Sequence, residues 1–163
     1  MQELGISPKR SLGQNFLINE ATILKILTAV EKLKAEAVME VGPGLGALTD
    51  RLRQKPNFQA IELDRTIAEY WRKQGVDVVE GDALEVKWHE LLHRPTAIVG
   101  NLPYQISSRI VVDLSFASPF IKGMVFMFQK EVAERLVARP RTKEYGLLSV
   151  IGQVYWDISV VVN

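Results

Sequence analysis

Six short apolar runs separated by stretches of helical periodicity constrain this chain more than any other feature of it. The runs cover residues 37–41, 58–63, 76–80, 96–99, 124–128 and 158–162. Between them lie helical stretches at 48–54, 66–74, 107–116, 131–138 and 146–156. An amphipathic helix precedes the first run, with Asn19 as its N-cap and Ile23, Leu24, Leu27, Val30 and Leu33 on its inner face. Strands joined through helices imply right-handed parallel crossovers. The pattern therefore predicts an α/β protein: a doubly wound, mostly parallel sheet with helices on both faces.

With 163 residues and 47% hydrophobic content, the chain can bury one core in a single domain. The absence of cysteine excludes disulfides and thiolate zinc sites. His89, Glu90 and His93 spell H-E-x-x-H, but no third ligand accompanies them, so a solvated helix turn without metal is expected. The first ten residues lack a signal-peptide core, and no apolar run is long enough to span a membrane, which predicts a cytoplasmic protein without membrane contact. Net charge is +1, yet the segment from Lys122 to Lys143 holds six basic and two acidic residues. That excess could track phosphates; on charge alone, a solvated helix face accounts for it equally well. The last residues, Val160-Val161-Val162-Asn163, are apolar enough to form an edge strand, which implies either a following segment or another pairing partner.

The residues at the ends of the runs carry the chemistry. Glu40-Val41-Gly42-Pro43-Gly44-Leu45-Gly46 leaves the first strand and enters a helix. Its glycines permit close approach of a ligand, but the spacing is not that of dinucleotide loops, and Pro43 removes a backbone donor. Glu62, followed by Leu63, ends the second strand, where a carboxylate can accept ribose hydroxyl protons. Asp64 is better placed as an N-cap. Asp82, followed by Ala83, ends the third strand; it can accept from an adenine amine or simply close a turn. Asn101-Leu102-Pro103-Tyr104 follows the fourth. The Asn101 side-chain oxygen and the Leu102 carbonyl can accept the two N–H bonds of an aryl amine, Pro103 holds Leu102 extended, and Tyr104 offers a stacking face. Gly42, Glu62, Asp82 and Asn101 thus fall at one edge of the sheet.

Taken with Ser11-Leu12-Gly13-Gln14-Asn15-Phe16-Leu17, Phe128-Gln129-Lys130-Glu131-Val132 and Lys143-Glu144-Tyr145-Gly146-Leu147-Leu148-Ser149-Val150, these motifs closely resemble the ribosomal RNA adenine N6-dimethyltransferase family over essentially the whole chain. The resemblance implies a Rossmann-like class I fold that binds S-adenosyl-L-methionine through Gln14, Asn15, Leu17, Gly42, Gly44, Glu62, Leu63, Asp82, Ala83 and Asn101. Catalysis would fall on Asn101, Leu102, Pro103 and Tyr104, and RNA contacts on Lys130, Arg135, Arg139, Arg141 and Lys143. Residues 1–163 would form the catalytic domain, with 1–18 covering the cofactor. The implied reaction is dimethylation of two adjacent adenosines near the 3′ end of small-subunit rRNA, on a pre-30S particle, by a monomer. Family members continue with a loop that supplies a second aromatic and with a helical RNA-binding domain, so reduced activity is expected of this chain. Two alternatives stay open: an assembly module that binds cofactor without turnover, and the macrolide-resistance branch acting on large-subunit rRNA. Gly42-Pro43-Gly44 and Leu102 favour the small-subunit branch. The glycine spacing argues against a nicotinamide dehydrogenase.

Overall fold

The structure, a computed structural model, describes residues 19–162, the Tyr104 side chain excepted. In chain order it forms α1 (Glu20–Lys32), β1 (Ala37–Val41), α2 (Thr49–Leu52), β2 (Phe58–Glu62), α3 (Arg65–Lys73), β3 (Asp77–Glu80), α4 (Trp88–Leu91), β4 (Thr96–Asn101), α5 (Tyr104–Ala117), β5 (Ile121–Met127), α6 (Lys130–Leu136) and α7 (Leu147–Tyr155). The five strands make one sheet in the order β3-β2-β1-β4-β5, every pairing parallel. This is the doubly wound sheet that the alternation predicts.

The two faces of the sheet follow from strand alternation. Met39, Val41, Ile61 and Ile98 face one way and pack with residues of α4, α5, α6 and α7. Val38, Ala97 and Val99 face the other way and pack with α1 and α2, while Ala60 and Val78 pack against α3 on that same side. β1, covered on both faces, is buried along its whole length, as a central parallel strand requires. Two caps set helix starts. Asn19 accepts from the Thr22 N–H at 3.1 Å, and Asp64 accepts from the Thr66 and Ile67 N–H groups at 2.8 and 3.2 Å.

Two sequence expectations fail. Residues 158–162 form no strand. No ladder partner lies beside them among the described residues; Ile158 packs on the core while Val160 and Val161 stay 51% and 45% exposed. Apolar, β-branched composition favours a strand only where a neighbour supplies hydrogen bonds. Leu24, assigned to the inner face of α1, is 53% exposed, because the buried stripe runs through Ile23, Ile26 and Val30.

Ile98 is fully buried between the layers. Ile98→Ala is expected to lower unfolding free energy by about 2–5 kcal/mol. Asp64→Ala, which removes only a cap, is expected to cost about 1 kcal/mol, and denaturant unfolding of both variants measures the difference.

Candidate active site

The winding direction reverses between β1 and β4, so the carboxyl ends of these neighbours open a crevice where open α/β sheets bind ligands. Val41 pairs with Gly100, so the glycine loop and Asn101 leave the sheet side by side. Gly100 permits this proximity: a Cβ there would lie 2.7 Å from the Val41 carbonyl oxygen. Asn101 is the last residue of β4, half-buried and in register with Met127. The Leu102 N–H donates to the Met127 carbonyl at 3.4 Å, and its side chain enters the core. Pro103, at φ −65° and ψ 151°, caps α5, which begins at Tyr104.

The glycine loop turns its donors inward. Gly42, Gly44 and Gly46 all have positive φ, at 70°, 49° and 92°. The Gly42 N–H donates to the Ile61 carbonyl at 2.9 Å, Gly46 to the Pro43 carbonyl at 2.9 Å, and Gly44 to Glu62 Oε2 at 3.3 Å. Pro43 has no N–H. A phosphate cradle needs such amides pointing at the ligand; these three are already engaged.

The crevice offers carboxylates instead. Glu62 is buried; its Oε1 accepts from the Asp64 N–H at 2.9 Å while Oε2 holds Gly44. Burial raises its pKa, and the N–H groups of Asp64, Gly44 and Leu63 resist that rise. Glu40, in β1 on the same face of the sheet, is 2% exposed, and its Oε2 has no hydrogen-bond partner among the described residues. Burial pushes its pKa up to about 8; the Thr49 hydroxyl opposes this, and the Glu62 and Asp50 carboxylates add to it. An orphaned buried carboxyl oxygen beside a second carboxylate suits a positively charged ligand. The residues present therefore fit S-adenosylmethionine, which carries a sulfonium and an ammonium group, better than a pyrophosphate.

The remaining expected residues have mixed placements. Leu63 lies 63% exposed beside Glu62. Asp82 closes a turn, accepting from the Leu84 N–H at 2.9 Å, and the buried Ala83 accepts the Trp88 indole N–H at 3.2 Å. Lys130 opens α6, where it pairs with Glu134 at 3.6 Å; Arg135 follows on the same helix, and Arg139, Arg141 and Lys143 occupy the turn behind it, all exposed. Gln14, Asn15 and Leu17 lie outside the described residues. Sequence reading missed Glu40 and Gly100 as individuals, although an acid and a glycine inside otherwise apolar runs were visible signals.

Glu40 makes stability depend on pH with a definite sign. Its folded pKa of about 8 lies above its ordinary value of 4.5, so the folded state holds the proton more tightly. Burying it costs nothing extra in ionisation below the lower value, and stability falls as pH rises from there toward the upper one. Glu40→Gln is expected to remove that loss: between pH 5.5 and 8.5 its melting temperature should fall less than that of the wild type, as scanning calorimetry would show.

The family model described as ribosomal RNA adenine dimethylase matches residues 6–163. A Bdellovibrio bacteriovorus protein named ribosomal RNA small subunit methyltransferase A is 44% identical over 164 residues, which cover 99% of this chain and 60% of that protein. The chain thus spans about 60% of the length of that curated relative. Among solved structures, a dimethyladenosine transferase from Plasmodium falciparum superposes with a TM-score of 0.74 at 28% identity, over 86% of this chain and 52% of that one. The 23S rRNA methyltransferase ErmE superposes at 0.61 with 32% identity, over 81% and 53%. The fold is that of Rossmann-like class I methyltransferases, and the chain belongs to the ribosomal RNA adenine dimethylase family.

Proposed function

We propose that this chain is the catalytic domain of an S-adenosylmethionine-dependent enzyme that dimethylates N6 of two adjacent adenosines near the 3′ end of small-subunit rRNA, acting on a pre-30S particle. The observation that carries the reading is the juxtaposition of an acceptor-lined crevice at β1 and β2 with Asn101 at the end of β4.

Glu62 would hold the ribose hydroxyls and Asp82 the adenine amine of the cofactor, through the carboxylate capacity that their present bonds leave open. Leu63 and Ala83 would bound its base, Gly42 and Gly44 would let it approach the backbone, and Gln14, Asn15 and Leu17 would cover it. The buried Glu40 oxygen would face its positive charge. When bound, the cofactor supplies an electrophilic methyl group on a cationic sulfur.

The chain's own task is to present the adenosine nitrogen. That nitrogen's lone pair is delocalised into the ring. Two acceptors aimed at its N–H bonds draw it toward a tetrahedral shape and direct the lone pair at the methyl donor. Asn101 Oδ1 and the Leu102 carbonyl fill those roles. The Leu102 N–H is tied to β5 and Pro103 restricts its geometry, so the carbonyl direction is fixed. Tyr104 contributes a stacking face worth about 1–3 kcal/mol. As the N–C bond forms, the donor's S–C bond would break to leave a neutral thioether, and the amine sheds one proton to solvent, so no strong base is needed. Lys130, Arg135, Arg139, Arg141 and Lys143 would hold phosphates of the surrounding RNA.

The similarity to the small-subunit methyltransferase favours this substrate over large-subunit RNA, which the likeness to ErmE would otherwise suggest. Single-turnover transfer of labelled methyl groups to small-subunit particles lacking the modification tests it. The wild type should label adjacent adenosines near the 3′ end. Asn101→Ala should lose about 10²–10³-fold in rate while keeping the wild-type melting temperature. Undiminished labelling by that variant would refute the catalytic assignment, and label confined to large-subunit RNA would favour the other branch.

A further inference from the structure

The glycine loop is braced by a side chain that no motif of the loop contains. Trp71, near the carboxyl end of α3, is 1% exposed. Its indole N–H donates to the Gly44 carbonyl oxygen at 2.9 Å, across 27 positions of sequence. Its ring also fills the space beneath Gly46: a Cβ there would come within 2.5 Å of Trp71 Cζ2. An edge contact with Tyr70, centroids 5.1 Å apart, backs the ring. Gly44 is therefore gripped on both sides, its N–H by Glu62 and its carbonyl by Trp71.

Such a grip matters because of what the loop is. Three of its five residues from Gly42 to Gly46 are glycines in the left-handed region. A segment of that composition samples many conformations when unsupported, and ordering each residue costs about 1–2 kcal/mol of conformational entropy. A loop already fixed in the folded state spares the ligand that cost. The bond also settles which peptide planes face the crevice: the Gly44 carbonyl is turned into the protein, and its N–H points to the carboxylate. The Asp64 cap starts α3 one residue after Leu63, so the helix that begins next to Glu62 also returns Trp71 to the loop.

We propose that Trp71 is a positioning residue, holding the glycine loop in the shape that receives S-adenosylmethionine. The proposal rests on the cofactor reading above, and its test separates the two. Trp156 provides the control: its indole N–H donates to Ser115 Oγ at 2.8 Å, tying the end of α7 to α5 without touching the loop. Trp71→Phe and Trp156→Phe each delete one indole hydrogen bond and the same ring atoms.

Calorimetric titration with S-adenosylmethionine, alongside thermal melts of all three proteins, reads the outcome. Trp71→Phe should weaken binding by about tenfold, the scale of one well-formed hydrogen bond. Trp156→Phe should stay within about twofold of the wild type, even where it lowers the melting temperature as much. Equal affinity for wild type and Trp71→Phe, or equal weakening by both variants, would overturn the positioning role and leave the cofactor reading standing. Absence of binding by the wild type would overturn both. Should Trp71→Phe fail to fold, the wild-type ¹⁵N indole resonance of Trp71 decides the point. The proposal requires slow hydrogen exchange without ligand and a shifted resonance when S-adenosylmethionine is added; fast exchange or an unmoved signal would refute it.

Discussion

The carboxylate of Glu62 joins the glycine loop after β1 to the start of α3. One oxygen takes the Gly44 N–H from the loop after β1, and the other takes the Asp64 N–H at the start of α3. Asp64 in turn caps α3, and α3 carries Trp71 back to the loop. The backbone repeats this linkage, with Gly42 donating to Ile61 and Gly81 to Glu62. The side chain and backbone of Glu62 together tie the carboxyl ends of β1, β2 and β3 to one another. Because both of its oxygens are engaged by N–H groups, the ionised form is supported in a place where burial alone would discourage it.

Glu40 lacks that support. One of its oxygens has no partner among the described residues, and its proton is retained well into the neutral range. A sheet selected for stability alone would place valine at the centre of β1. The acid instead introduces a local stability cost at the point where a cationic ligand would relieve it, a pattern of strain common at functional sites. The same logic explains why the loop is not a dinucleotide cradle: its glycine amides bond within the protein, and the surfaces left for a ligand are oxygens.

The fold was legible in the sequence because central parallel strands are nearly continuous apolar runs, and the helices between them have clear stripes and caps at Asn19 and Asp64. The final run, 158–162, misled because composition reports a residue's liking for a sheet and not the presence of a neighbour. Leu24 misled because a stripe through Ile23, Ile26 and Val30 is narrower than the apolar sequence around it. Within the site, Gly42, Glu62, Asp82 and Asn101 were readable from their position after successive strands. Trp71 was not, since its bond to Gly44 depends on how α3 folds back, and a tryptophan on an amphipathic helix signals only core. Asp82 closes a turn at the carboxyl edge, as one of its two readings expects.

The three glycine amides of the loop are committed within the protein, and the groups that face a ligand are carboxyl oxygens, an arrangement that suits a cationic cofactor better than a pyrophosphate. Parallel calorimetric titrations of the whole chain with S-adenosylmethionine and with NAD test it most directly. The structure predicts saturable binding of S-adenosylmethionine and no detectable heat with NAD. Binding of NAD at comparable or greater affinity would contradict it.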